Sequence, residues 1–219
     1  MPEIPTLNLN TKKDLGYRIV VAIIAGVSAA LFRPRVSGVE NIPLEGPVLI
    51  APIHRSNVDF VFTLFISPRK VFFMAKDSLF RIPLLGQLLL HLGAFPVKRG
   101  AADRESTALA EQVLRAGHAL VLFPEGGRKD GDDVEPLHDG AMFVAARTGA
   151  PVVPVGIGGS DRAMPKGARF PRPARVRIVV GRAITPPSAE GRVPRSLLSA
   201  KSEELRVELE RVYHESLRR

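Results

Sequence analysis

Apolar residues in this chain come in short runs, each closed by a polar turn. From residue 48 to 156, runs of strand length alternate with segments of helical length. Residues 48–53, 70–75 (KVFFMA), 93–99 (GAFPVKR), 119–123 (ALVLF) and 151–156 (PVVPVG) predict buried strands. Residues 60–66, 103–116 and 138–148 predict helices. Gly117 and Gly149 stand just past the last two, where a helix end takes left-handed backbone. Pro154 has no N–H for a ladder, so its strand is expected at an edge, a bulge or its own end.

Outside this stretch the patterns differ. Residues 35–42 read as a short strand and turn, and 175–180 alternate basic and apolar residues like a half-exposed strand. Residues 79–92 (LFRIPLLGQLLLHL) are apolar but interrupted by Pro83 and Gly86, and suit either core packing or an apolar surface. In 196–218, Leu198, Leu205, Leu209 and Val212 fall on one stripe and charges fill the rest, the pattern of an amphipathic helix. The expected fold is α/β: a central, mostly parallel or mixed sheet flanked by helices, with an N-terminal apolar helix and a C-terminal amphipathic helix.

Residues 1–14 are polar. Residues 19–32 (IVVAIIAGVSAALF) carry no charge, with Lys12, Lys13 and Arg18 before them and Arg33 and Arg35 after. This run is short of the ~20 residues that cross a bilayer. A core helix and a signal peptide share its features. The basic ends favour a helix that docks on the body or dips into one leaflet, with its cations at the headgroups. Residues 1–35 are therefore read as a polar segment and a membrane-associated helix, and 36–219 as one domain. Residues 185–194 (TPPSAEGRVP) have linker composition but join only the last helix.

The 219-residue chain has a net charge of +9, which points to an anionic partner: nucleic acid, anionic lipid or a phosphorylated substrate. With no Trp and two Tyr, it lacks the stacking residues of a single-strand nucleic-acid binder. The absence of cysteine excludes a disulfide framework, a thiol nucleophile and a zinc–thiolate site. No other metal-ligand spacing appears.

The candidate chemistry lies in HRSNVD, directly after the 48–53 strand. On one continuous helix, His54 and Asp59 would diverge by roughly 140°. If the helix begins between them, with Ser56 or Asn57 as its cap, the chain turns back and the carboxylate reaches the imidazole. A carboxylate on one ring N–H fixes the tautomer and leaves the other nitrogen as a base. Arg99 and the Glu125–Arg128 turn also follow strands, and ligands in open α/β sheets sit beyond the carboxyl ends of strands.

HRSNVD resembles the His-x4-Asp motif of the glycerolipid acyltransferases, the family of 1-acylglycerol-3-phosphate acyltransferases. GAFPVKR, FPEGGRK and VVPVGI resemble that family's second, third and fourth motifs, in order, across residues 48–157. Pro96 departs from the aromatic residue often found in the second motif, and Gly127 and Lys129 from the threonine and serine of the third. The resemblance implies transfer of a fatty acyl group from a thioester, acyl-CoA or acyl carrier protein, to the hydroxyl of lysophosphatidic acid, giving phosphatidic acid. It implies His54 as general base, Asp59 as its orienting carboxylate, and no cofactor or metal beyond the co-substrate. Arg99 and Arg128 are then candidates for the acceptor phosphate, since guanidinium offers it paired donors. Gly126 and Gly127 would let the backbone approach the ligand. Glu125 would accept from a glycerol hydroxyl or hold Arg128. His91, His118, His138 and His214 have no motif around them and read as structural. Glycerol 3-phosphate, another lysophospholipid or a glycolipid are alternative acceptors. A non-catalytic binder of anionic lipid or nucleic acid, and a hydrolase using the same base, are the rival classes. The expected partners are the thioester donor, the lysophospholipid, an anionic membrane surface and an acyl carrier protein, without nucleic acid. The expected place is the cytoplasmic face of a membrane.

Overall fold

The computed structural model describes residue 9 and residues 15–97, 104–165, 167–188 and 192–218. Among these residues, seven strands form one sheet in the order β1-β7-β6-β2-β5-β3-β4: β1 Arg35–Ser37, β2 Val48–Pro52, β3 Val71–Lys76, β4 Ala94–Val97, β5 Ala119–Val121, β6 Val152–Gly158 and β7 Arg177–Val180. β6 and β7 pair antiparallel and every other neighbouring pair is parallel, so the sheet is mixed, as the alternation of elements predicted. The helices are α1 Leu15–Phe32, α2 Asp59–Phe62, α3 Leu85–His91, α4 Arg104–Arg115, α5 Gly140–Thr148, α6 Ser160–Ala163 and α7 Arg195–Leu217.

The strand period of two divides the apolar residues between two cores. Val48 and Ile50 of β2, Val121 of β5 and Val155 of β6 meet Phe32 of α1 and Phe62 of α2 on one side. Leu49, Ala51, Leu120 and Val152 meet α4 and α5 on the other. α7 joins both: Leu198 and Leu205 enter the second core, Leu209 and Val212 the first. Its predicted stripe is thus the buried face, at about 1.5–3 kcal/mol for each fully buried Leu or Val. β6 receives α7 because two of its residues lack side chains. A Cβ on Gly156 would lie 2.3 Å from the Val212 carbonyl oxygen, and one on Gly158 2.4 Å from that of Ser216.

One local expectation is narrowed and two are corrected. Of the three places expected for Pro154, the structure bears out the bulge: it sits in the middle of β6, between β2 and β7, where the partner segment from Val180 to Ile184 holds one residue more than β6 from Val155 to Val152. Its carbonyl oxygen accepts from Gly181 N, so its nitrogen faces the same side. The β7 ladder has just ended there, and the next contact is the Val152–Ile184 bridge. The missing N–H therefore falls in a gap of the ladder. The segment 60–66 is not one helix: α2 gives way to a 3-10 turn over Thr63–Phe65. Neither Ser56 nor Asn57 caps α2, whose cap position is Val58 without a side-chain bond. Ser56 Oγ instead donates to the Met164 carbonyl oxygen at 2.9 Å.

α1 has 18 residues, of which Tyr17, Ser28 and Phe32 are buried. Leu15, Ile19, Ile23 and Val27, spaced by four, form an exposed apolar stripe along it. Leu79, Ile82, Leu84 and Leu90 are also exposed. The segment 79–92 thus presents apolar surface while Leu89 and Leu92 pack inside.

Candidate active site

β2 ends at Pro52, and the next turn carries the imidazole to the carboxyl rim of the sheet. His54 Nδ1 lies 2.9 Å from Asp59 Oδ2, the contact that the spacing predicted. The same oxygen accepts the backbone N–H groups of Arg55 and Ser56, each at 2.7 Å. Asp59 thus closes the turn that the serine was expected to cap. Its side chain is fully buried, and among the described residues Oδ1 has no hydrogen-bond partner. With Nδ1–H directed at the carboxylate, Nε2 is the nitrogen left to take a proton. The imidazole stacks on Phe123 with centroids 4.1 Å apart, so both its plane and its tautomer are set.

The turn after β5 grips the backbone of the same residue. Glu125 Oε2 accepts from His54 N at 2.9 Å, and Lys129 N donates to the His54 carbonyl oxygen at 3.0 Å. Arg55 Nη1 donates to both Glu125 oxygens at 2.8 Å. The remaining donors of Arg55 reach Gly131 O and Asp133 O, and its guanidinium lies over the Tyr213 ring. Burial pushes the Tyr213 hydroxyl up to about 12. Glu125 therefore does not hold Arg128, and its carboxylate is buried on Arg55 and not offered to a ligand. Each motif looks independent in the sequence; in space the first and third are one hydrogen-bonded unit.

Gly126 has φ of 69°, and a Cβ there would lie 2.7 Å from the His138 ring. The close approach it permits is by that imidazole. Gly127 meets nothing within 4 Å of a Cβ position. Arg128 is half-buried and forms no hydrogen bond or ion pair with another described residue. Arg99, with Lys98, lies outside the described residues, so the expected pairing of two guanidinium groups has no geometry here.

His54 opens into a cleft of about 310 Å³ between the N-terminal ends of α4 and α5. Met74, Val97, Phe123 and Val144 supply apolar wall, and Lys76, Thr107 and His138 supply polar groups. Lys76 and His138 were missed by the sequence reading. Lys76 is the last residue of β3, at the same rim as His54, and rim position was the signal that could have found it. His138 is brought in by the glycine opposite it. Arg55 was quoted within its motif and given no role.

Residues 33–158 match the family described as Acyltransferase. The chain is 33% identical over 165 residues to a 1-acyl-sn-glycerol-3-phosphate acyltransferase of Chlamydomonas reinhardtii, covering 73% of this chain and 49% of that protein. It is 30% identical over 140 residues to the chloroplastic enzyme BAT2 of Brassica napus, covering 63% of this chain and 40% of that protein. The chain thus spans under half the length of these two relatives. The 1-acyl-sn-glycerol-3-phosphate acyltransferase of Bacillus subtilis is 29% identical, with 75% of this chain and 76% of that protein aligned. The crystal structure of the 1-acyl-sn-glycerophosphate (LPA) acyltransferase PlsC from Thermotoga maritima superposes with a TM-score of 0.75 at 25% identity, over 96% of this chain and 86% of that one. On its sequence match and its fold together, the chain belongs to the Acyltransferase family.

Proposed function

We propose that this chain transfers a fatty acyl group from a thioester to the hydroxyl of lysophosphatidic acid, forming phosphatidic acid. The observation that carries the reading is the His54–Asp59 contact beside a cleft with an apolar wall, in a chain of this family. His54 Nε2 takes the proton of the acceptor hydroxyl as its oxygen attacks the thioester carbonyl carbon. The new C–O bond forms, the C–S bond breaks, and the imidazolium returns the proton to the departing thiolate. Asp59 holds the ring and stabilises the imidazolium. General-base catalysis of this kind is worth about 10²–10⁴-fold. Arg128, Arg99 and Lys76 are assigned to the acceptor phosphate. Glu125 is a positioning residue, acting through the backbone N–H of His54.

The exposed stripe of α1 and the apolar side chains at 79–90 support a place on a bilayer surface, where substrate and product partition. A small, mainly apolar gap between α1 and β3, lined by Ile24, Phe60, Phe73 and Leu92 with Thr63 and Arg69, measures about 30 Å³, far less than the cleft. The acyl chain is accordingly assigned to the apolar wall of the cleft and the adjoining surface.

The test is thiol release from an acyl thioester with and without lysophosphatidic acid. A transferase releases thiol only with acceptor present. Release without acceptor identifies a hydrolase, and no release with any acceptor leaves a lipid binder.

A further inference from the structure

A cluster of arginines lies away from the cleft. A hollow of about 650 Å³ is lined by Arg33, Arg35, Arg162, Arg175, Arg177 and Arg218, with no carboxylate among the described residues of its wall. None of the six guanidinium groups forms a salt bridge with a described residue; Arg177 Nη1 donates to the Arg218 carbonyl oxygen at 3.2 Å. On α7, by contrast, Arg206 and Arg211 are each paired with glutamates. Six like charges gathered in one hollow repel one another, and an anion relieves that repulsion. Pro173, Ala174, Val176 and Leu217 add apolar wall, so the hollow also suits a ligand with a flat or apolar part.

The register of the sheet gives its distance from His54. Pro52 of β2 is level with Val155 of β6, which places His54 about one residue short of Gly158. Gly158 pairs with Arg177 of β7, and Arg177 with Arg35 of β1. The hollow is therefore two to three strands from the imidazole on the same rim, about 10–15 Å at the usual strand spacing of about 4.8 Å.

Bond counting selects the ligand. In lysophosphatidic acid, the reacting hydroxyl oxygen is about four bonds from phosphorus, or about 5 Å at about 1.2 Å of extension per bond, so the acceptor phosphate stays in the cleft. In a phosphopantetheine thioester, sulfur is about thirteen bonds from the first phosphorus, or about 15 Å. That matches the separation. Resting on the acyl-transfer reading, we infer that the six-arginine hollow binds the phosphate end of the donor's phosphopantetheine arm. Guanidinium forks grip phosphate oxygens in pairs and can stack on a base. The thioester end then reaches over the rim to His54.

The test uses the full chain and its Arg162→Gln/Arg175→Gln double variant. Both side chains are exposed, and a matching thermal melt confirms the fold. One acyl group is presented as acyl-CoA, as acyl carrier protein thioester and as S-acyl-pantetheine, which lacks phosphate. The expected result is a donor KM raised about tenfold or more for the phosphate-bearing donors, with acyl-pantetheine and the acceptor KM unchanged. A rise for acyl-CoA alone, or for both, identifies the source of the phosphate. An equal loss with all three donors, or no loss with any, overturns the inference. So does a loss seen on anionic vesicles and absent in detergent, which would make the hollow a lipid headgroup site. Calorimetry with free CoA and with holo-carrier protein separates the two readings. If the parent transfers nothing yet binds either one in an arginine-dependent way, the transferase reading fails and this site stands. If it binds neither, or binds without regard to the arginines, the site is refuted.

Discussion

Arg55 Nη1 lies 2.8 Å from both carboxylate oxygens of Glu125, and Glu125 in turn holds the backbone N–H of His54. Both side chains are almost wholly removed from solvent, at 2% and 0% exposure. Removing one member of such a pair leaves a buried, uncompensated charge, a cost of about 3–5 kcal/mol. Arg55→Leu should therefore lower stability by about that amount in urea titration. Glu125→Gln keeps the shape and should lower kcat while leaving the acceptor KM unchanged. A raised acceptor KM with unchanged kcat would instead place Glu125 on the substrate.

The cations at the rim give a separate prediction. Lys76 lines the cleft, and Arg128 sits in the turn that binds the His54 carbonyl through its neighbour Lys129. A charged hydrogen bond is worth about 1.5–3 kcal/mol, so Lys76→Ala and Arg128→Ala should each raise the acceptor KM about tenfold or more. An unchanged acceptor KM in both variants removes these residues from the phosphate site.

Gly156 predicts a purely structural effect. A Cβ there meets the backbone of α7 at 2.3 Å, and backbone cannot rotate away as a side chain can. Gly156→Ala should cost about 1–3 kcal/mol, measured as a lowered denaturation midpoint. A variant as stable as the parent would show that α7 shifts freely on β6.

His118 makes stability depend on pH. Burial, then the charges of Arg69 and Lys70, hold its imidazole below the ordinary value of 6.5. Between the folded value and about 6.5, the unfolded chain carries a proton that the folded chain does not, so stability rises with pH through that window. The thermal midpoint should fall on acidification from about pH 7.5 to 5.5, and His118→Asn should flatten part of that fall. An identical pH slope in the variant would clear His118 of the effect.

Local signals carried the readable part of the fold. The strand into His54, the turn back to Asp59 and the glycines past α4 and α5 each depend on residues within a few positions of one another. The unread part depends on partners far apart in sequence. Arg55 looks like a solvated loop arginine until Glu125, 70 residues away, is seen beneath it. Gly126 looks like a ligand contact until the His138 ring is found against it. Pro154 suits an edge, a bulge or a strand end until its nitrogen is matched with the irregular step in the neighbouring ladder. The cap failed for a nearer reason: Asp59 accepts both amides from the turn, and Ser56 bonds to Met164.

Substitution of His54 by alanine in the acceptor-dependent transfer assay tests the central proposal most directly. The account predicts a loss of about 10²–10⁴-fold in kcat, with circular dichroism unchanged. Transfer at the parent's rate by a folded His54→Ala protein would contradict it.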